Sequence, residues 1–247
     1  PLNSGTAYVL TPLSLVVDTS GIVTVLWMDS SPGQLYVQAS RGFSNSWSTS
    51  VNLNSGSASG NTPLLLVIDT SDNVTASWTE GLEMQAARFI SIGTSWGTTA
   101  TLSNADLYLD IPPKMVVSPS GCVTIVWQSD PDSTSTYSIQ AARFTPGESS
   151  WTLPITLNNG SQVPNAFGSP MTQLIYMVAD AFDNVTVTWL ENSIATAIVH
   201  AARFVPPMIN SITPNQGSTS GGTIVTINGT DFIDVSHVYF GSLSASF

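Results

Sequence analysis

Alternating apolar and small polar residues mark one short segment that the chain repeats four times, over residues 21–27, 73–78, 122–127 and 184–189. Each copy is rich in β-branched residues, ends in tryptophan and follows a turn signal such as Ser20-Gly21 or Asp72-Asn73. The tryptophan and alternate apolar residues share one face of the strand, and threonine lies on the other. A strand repeated in this way predicts a repeat architecture.

The second copy shows what one whole repeat contains. An apolar run at 63–69 precedes the tryptophan strand at 73–78, and the segments 84–89 and 95–102 follow it. Four short strands joined by tight turns predict an up-and-down antiparallel sheet. The tryptophan strands carry no charge on either face, which favours sheets covered on both sides by neighbouring sheets.

The repeat period is about 50 residues, with a longer insertion before the last copy. Four-stranded units at this period predict β-propeller blades, so the expected fold is all-β and propeller-like over residues 1–205. A two-sheet sandwich is the alternative, but it does not explain the repeat. The predicted blades run near 12–54, 62–103, 112–158 and 171–205.

Two further motifs recur in register with the tryptophan strand. Third strands carry Gln-Ala-Ala-Arg or a close variant, and three of the units add a Ser-Trp strand. The pattern Ser-Gly-x-Val-Thr-x-x-Trp, then Gln-Ala-Ala-Arg-Phe, then Ser-Trp resembles the repeats of bacterial exported propeller-like proteins, loosely related to the sialidase superfamily. The resemblance covers residues 1–205 and implies an exported protein of propeller fold.

Residues 206–247 have a different pattern. Gly221-Gly222-Thr223, the Ile-x-Gly-x-x-Phe spacing from Ile227 to Phe232, and Val238-Tyr239-Phe240-Gly241 resemble the opening half of an IPT/TIG domain. That resemblance implies a partial immunoglobulin-like sandwich after the propeller-like region.

Charge excludes two classes of partner. The net charge is −11 with five basic residues among 247, so the chain would repel nucleic-acid backbones and anionic membrane surfaces. No apolar stretch approaches the roughly 18 residues of a membrane span. A single cysteine, Cys122, excludes an internal disulfide framework, and we expect it to be a small structural residue.

The repeated arginines and tryptophans are the first candidates for chemistry. Sialidases use an arginine cluster to bind a carboxylate, but one arginine per repeat favours a structural ion pair with the acid just past each tryptophan. Those acids are Asp29, Glu80, Asp130 and Glu191. We expect core packing for the tryptophans rather than sugar stacking. The structural repeat positions are Trp27, Trp78, Trp127, Trp189, Arg41, Arg88, Arg143 and Arg203.

The remaining candidates are weaker. His200 occupies the glutamine position of the third strand, and His237 has no cysteine or second histidine near it, so neither metal nor triad spacing is present. Acidic turns at 69–72 and 130–132 lack the alternation of an EF-hand loop, which leaves calcium as the weaker alternative to no cofactor. We predict no catalytic, cofactor-binding or metal-binding residues.

Two functions remain open. The first is a non-enzymatic extracellular module of a bacterial surface protein or appendage, used in adhesion or as a filament subunit, with copies of itself or surface proteins as partners. The second is a carbohydrate-binding lectin or a sialidase-like glycoside hydrolase. Hydrolysis needs two carboxylates across a cleft, and the unrepeated acids are too scattered to assign as that pair. They are Glu83, Asp106, Asp110 and Glu148. We therefore expect the first function, without enzymatic activity, at the cell surface or secreted.

The two ends of the chain carry a separate expectation. Residues 1–17 copy the pattern of 51–67, so the chain begins inside a repeat and is expected to be a piece of a longer precursor. The fourth repeat lacks a Ser-Trp strand, and the IPT/TIG-like segment is about half a domain. Strand exchange between subunits and truncation both remain open explanations.

Overall fold

A computed structural model describes residues 2, 8–31, 33–56, 58, 63–103, 112–129, 138–158, 175–192, 197–205, 208–232, 238–240 and 243–245. All regular structure in these residues is β, which confirms the all-β prediction. The described residues contain no helix that is long and apolar enough to cross a lipid bilayer. The chain divides into two compact units, Pro1–Arg203 and Phe204–Phe247.

The first unit contains four antiparallel sheets, numbered here in chain order, with five, four, four and three described strands. Sheet 1 comprises β1 (Tyr8–Val17), β2 (Val23–Ser31), β3 (Gln34–Phe43), β4 (Ser46–Trp47) and β5 (Val51–Asn52). Sheet 2 comprises β6 (Leu65–Ile68), β7 (Val74–Glu80), β8 (Glu83–Phe89) and β9 (Ala100–Thr101). Sheet 3 comprises β10 (Lys114–Val117), β11 (Val123–Ser129), β12 (Ser138–Phe144) and β13 (Ile155–Thr156). Sheet 4 comprises β14 (Tyr176–Ala179), β15 (Val185–Asn192) and β16 (Ala197–Phe204).

The outer strands are shorter than the sequence pattern predicts. In sheet 2 the predicted strand at 95–102 is reduced to β9, and Trp96 forms only an isolated bridge with Phe89. A backbone hydrogen bond holds each short outer strand of sheets 1, 2 and 3 in place. The amide of the leucine just past the outer strand donates to a carbonyl of the third strand. The three bonds are Leu53 to Val37, Leu102 to Met84 and Leu157 to Ile139, at 2.7–2.8 Å.

The hairpin turn between the first two strands of each sheet is formed by residue types suited to its geometry. An aspartate at the turn's first position accepts hydrogen bonds from backbone amides of its own turn, as Asp18 does from Ser20 and Ile22. The fourth position has positive φ, which glycine adopts freely and aspartate tolerates. Gly21 and Gly121 alternate there with Asp72 and Asp183, at φ of 61–86°.

The core lies between successive sheets. Every residue of β11 is buried, and only the last residue of β7 is not, which accounts for the uncharged tryptophan strands. Trp78 of sheet 2 packs in one cluster with Leu26 and Met28 of sheet 1. The four repeated tryptophans are all buried, with exposed fractions between 0 and 5%. The first strands of successive sheets also contact one another, β1 with β6, β6 with β10 and β10 with β14.

The second unit, described by itself, has two short antiparallel pairs. The strand β17 (Met208–Thr213) pairs with β18 (Thr226–Thr230), and β19 (Val238–Phe240) pairs with β20 (Leu243–Ala245). Gly221 and Gly222 both have φ near 80°, so the glycine pair predicted as a turn has a backbone that other residues rarely adopt.

Candidate functional site

Each repeated arginine lies in its own sheet, and within the described ranges three of the four pair with an aspartate. Arg41 pairs with Asp18 at 3.1 Å, Arg88 with Asp69 at 3.1 Å and Arg203 with Asp180 at 2.7 Å. Arg143 has Ser118 in place of that aspartate, and it donates instead to the backbone carbonyl of Asp183 at 2.9 Å. For Arg41 and Arg88 the predicted structural pairing therefore has the wrong acid, because the partner precedes the tryptophan strand rather than following it.

Strand register gives the physical reason. Arg88 lies opposite Thr75, at the start of the tryptophan strand, and donates to the threonine hydroxyl at 2.6 Å. Glu80 lies opposite Glu83 at the other end of that strand. Five residues of strand separate Thr75 from Glu80, which is roughly 16 Å at about 3.3 Å per residue. Of the other predicted partners, Asp130 lies outside the described residues. The side chain of Glu191 is not described either.

Two of the arginines also cross to the next sheet. The guanidinium of Arg41 lies 4.1 Å from the ring centroid of Phe89, and that of Arg88 lies 4.2 Å from the ring of Phe144. Each arginine is thus held by a threonine and an aspartate of its own sheet and stacked on a phenylalanine of the following sheet. Burial lowers the pKa of Arg41 and of Arg88 below the ordinary value of a guanidinium, although the neighbouring aspartates oppose this. These arginines connect sheets and do not form a shared anion pocket.

The hairpin turns form a second set of contacts between neighbouring sheets. Thr19 donates its backbone amide to Asp72 at 2.9 Å and its hydroxyl to the other carboxylate oxygen. Those two bonds, the hydroxyl first, lower the pKa of Asp72. Ser120 donates its backbone amide to Asp183 at 2.9 Å. The pKa of Asp180 is lowered to about 2, chiefly by the Asn184 side chain.

A groove opens between the outer edge of sheet 1 and the facing loop of sheet 2. Its volume is about 820 Å³, within the roughly 300–1,000 Å³ of ordinary ligand pockets. The described lining residues lie at the end of β3, in β4, at 48–49 and 51–53, in the loop 94–99, and at Ile22 and Phe89. Thr99 donates to the carbonyl of Leu53 at 2.8 Å, which ties the two sheets together beside the groove.

Four aromatic residues line this groove, two from each sheet. Phe89 is buried, and Trp96 meets it edge to face at 5.8 Å and 66°. On sheet 1, Phe43 is 61% exposed and Trp47 is 36% exposed. A methyl group at Gly42 would lie 2.5 Å from Cδ2 of Trp47, so this indole packs directly on the glycine.

The position of Phe43 is a departure from the repeat. Sheets 2, 3 and 4 have phenylalanine immediately after the arginine, whereas sheet 1 has Arg41-Gly42-Phe43. Successive side chains of a strand point to opposite faces, so moving the phenylalanine by one position moves it to the face that Arg41 occupies. That face is the one directed at sheet 2. The irregularity is visible in the printed repeat, but no site was predicted from it.

Hydroxyl groups surround the aromatic surface. Ser48 accepts from the backbone amide of Arg41 at 3.0 Å, so it is held in place. Across the part of the chain that the structure describes, the hydroxyls of Ser46, Thr49, Ser95 and Thr98 make no hydrogen bond to protein. These side chains are mostly exposed and can therefore bond to a ligand or to water.

Carboxylates and metal-binding groups are placed elsewhere. No aspartate or glutamate is among the described lining residues of the groove. The described residues also hold no group of three or more His, Cys, Asp or Glu side chains that could bind a metal ion. Asp69, in the first turn considered for calcium, is bonded to Arg88 and Asn73. The second such turn, together with Asp106, Asp110 and His237, lies outside the described residues.

Comparison with known proteins adds a family match for the end of the chain. Residues 207–247 match the IPT/TIG domain, which confirms that part of the sequence resemblance. A comparison with curated proteins found no match.

Similar solved structures are mostly glycoside hydrolases. An α-L-arabinanase of Penicillium chrysogenum complexed with arabinobiose has a TM-score of 0.44 and 8% identity over 79% of this chain and 62% of its own. An endo-arabinase of Bacteroides thetaiotaomicron has a TM-score of 0.38 and 14% identity over 78% and 74%. A sialidase of Streptococcus pneumoniae has a TM-score of 0.37 and 11% identity over 76% and 30%. The chain thus spans 62% of the length of the Penicillium enzyme.

These comparisons correct the predicted function. The expectation of a non-enzymatic adhesion or filament module is wrong, because the similar structures are arabinanases, arabinofuranosidases, a polysaccharide lyase and a sialidase. The prediction that the chain is not an enzyme is wrong on the same finding. The comparisons give no support to the expected partners, which were copies of the chain itself and surface proteins.

Proposed function

We propose that this protein is carbohydrate-active and that the groove between sheets 1 and 2 binds a glycan. The observation that carries the proposal is the combination of exposed aromatic rings with free hydroxyls in one open groove. Phe43 offers an exposed ring on the face of sheet 1 that is directed at sheet 2, Trp47 is a further lining residue, and Ser95 and Thr98 offer hydroxyls on sheet 2. Most of the similar structures are of carbohydrate-active enzymes, but the proposal stands on the groove.

Sugar chemistry fits this combination. One face of a pyranose or furanose ring presents C–H groups, which pack on an aromatic ring, while its edge presents hydroxyls that need hydrogen-bond partners. An open groove admits a chain, whereas a closed cavity would admit only a single ring. The serine and threonine hydroxyls can both donate and accept, so they suit a ligand made of hydroxyl groups.

We extend the proposal to the architecture and the location. The four sheets are blades of a propeller, as supported by the contacts between the first strands of successive sheets. The protein acts outside the cell, as supported by its low content of charged residues, 9%, and by the sequence resemblance to exported bacterial proteins.

The test is glycan binding by the intact chain and by two matched tryptophan variants. Trp47→Ala removes an exposed ring from the groove, and Trp151→Ala removes the equivalent ring of sheet 3, which is not among the lining residues. Titration calorimetry with a panel of neutral oligosaccharides that includes arabinobiose should show binding that Trp47→Ala weakens about two- to tenfold, given about 0.5–1.5 kcal/mol per aromatic contact. Trp151→Ala should bind as the unaltered chain does.

Two results would overturn the proposal. One is the absence of binding across the neutral panel. The other is selective binding of proline-rich peptides, which also dock in aromatic grooves. Assay of new reducing ends after incubation with the same panel measures whether a bound glycan is cleaved.

A further inference from the structure

Charge in the groove is limited to one side chain. Of the described lining residues, Arg41 alone is charged. Its guanidinium is already occupied, because Nη2 donates to Asp18 at 3.1 Å and Nη1 donates to Thr24 at 2.9 Å. One face of the guanidinium lies on the ring of Phe89 at 4.1 Å, and the side chain is only 14% exposed.

A carboxylate on a bound sugar would therefore find no free cation among the described lining. To reach Arg41 it would have to displace Asp18, whose side chain is 5% exposed and would lose its own partner. Placing a carboxylate against aromatic rings without a partner has a desolvation penalty. The net charge of −11 adds a repulsive field over the whole surface.

We infer that the groove selects neutral glycans and rejects those that carry carboxylates, such as uronic acids and sialic acids. The inference rests on the proposed glycan binding and specifies its ligand class. Hydroxyls of the ligand meet Ser46, Thr49, Ser95 and Thr98, and its apolar ring faces meet Phe43 and Trp47.

The test compares probes that differ only in charge. Each neutral oligosaccharide that binds is prepared in a form whose primary alcohol is oxidised to a carboxylate, and in the methyl ester of that form. The carboxylate should weaken binding by at least about tenfold, and the ester should restore it. Equal or tighter binding of the carboxylate overturns the inference, and so does an ester that binds as weakly as the carboxylate. If no neutral probe binds, the proposed function itself fails, which is a different result.

A variant that adds a positive charge to the groove gives a second, independent test of the inference. Thr98→Lys places a cation in the groove, whereas Leu153→Lys places one at the equivalent position of sheet 3, which is 85% exposed. Thr98→Lys should improve binding of the carboxylate probe about two- to fivefold, as for an exposed ion pair, and this gain should fall in high salt. An equal gain in Leu153→Lys would place the effect on net charge rather than on the groove and would overturn the assignment.

Discussion

The junction between sheets 1 and 2 and the junction between sheets 2 and 3 are built from the same parts up to a point. In both, an arginine pairs with an aspartate of its own sheet at 3.1 Å and stacks on a phenylalanine of the next sheet. In both, a buried tryptophan of the later sheet packs in the core between the two sheets. The shared parts are those that hold neighbouring sheets together.

The junctions differ at their outer edge and at their turns. The position of Phe43 in sheet 1 is Ile90 in sheet 2, and the position of Thr99 in sheet 2 is Pro154 in sheet 3, which has no hydroxyl to donate. At the turns, Asp72 accepts two bonds from Thr19, whereas Gly121 has no side chain to do so. Departures from a repeat therefore identify the surface available for a ligand, because the repeated residues are already used for packing.

The largest expected effect is on the shared core. Trp78 has no exposed surface, so Trp78→Ala should lower the free energy of unfolding by about 3–5 kcal/mol. Trp47→Ala at the groove should lower it by about 1 kcal/mol. Chemical denaturation measures both. Equal losses would show that the groove tryptophan is part of the core and would remove the distinction between the two positions.

The arginines test whether the two junctions are equivalent. Arg41→Ala and Arg88→Ala each leave a buried aspartate without its partner, so each should destabilise by about 3 kcal/mol. Arg203→Ala is the control, since its side chain is 55% exposed and its pair is worth about 0–1 kcal/mol. A clear difference between the first two variants in urea unfolding would break the equivalence.

Exchanging the outer-edge residue should change glycan affinity without changing the free energy of unfolding. Phe43→Ile gives sheet 1 the residue of sheet 2, and should weaken binding of a neutral glycan about threefold to tenfold through the loss of one ring. Ile90→Phe, the reverse exchange, should leave that binding unchanged. Calorimetric titration of both variants checks this, and a change in binding by Ile90→Phe alone would place the site at the other junction.

The smallest expected effect concerns the turns. The pKa of Asp72 is lowered in the folded chain, so its contribution to stability is present above the unfolded value near 3.9 and is lost as pH falls through the lowered folded value. Asp72→Gly gives this turn the glycine of Gly121 and should flatten the dependence of unfolding on pH below about pH 4. Thermal melts between pH 2 and 7 would measure the slope, and an unchanged slope would contradict the role of the Thr19 bonds.

Much of the fold follows from local pattern. The tryptophan strands, the hairpin turns before them and the arginine positions are predictable because each depends on residues close together in sequence. The outer strands are overpredicted, because the segment from Ser95 to Thr99 meets β8 at an isolated bridge, Trp96 with Phe89, and is also held by the Thr99 bond to the neighbouring sheet. The acid that pairs with each arginine is also missed, since spacing along the chain does not reveal which end of a strand faces which turn.

The sequence by itself determined that the chain is all-β, that its first 205 residues repeat, that one arginine and one buried tryptophan recur in each unit, and that residues 207–247 match an IPT/TIG domain. These features can be predicted because strand periodicity, turn chemistry and family motifs each depend on residues close together in sequence. Tertiary structure alone decided that Arg41 reaches Phe89 in the next sheet and that Phe43 and Trp47 share a groove with Trp96. Those residues are some 50 positions apart, and they meet only because successive sheets pack face to face around a common core.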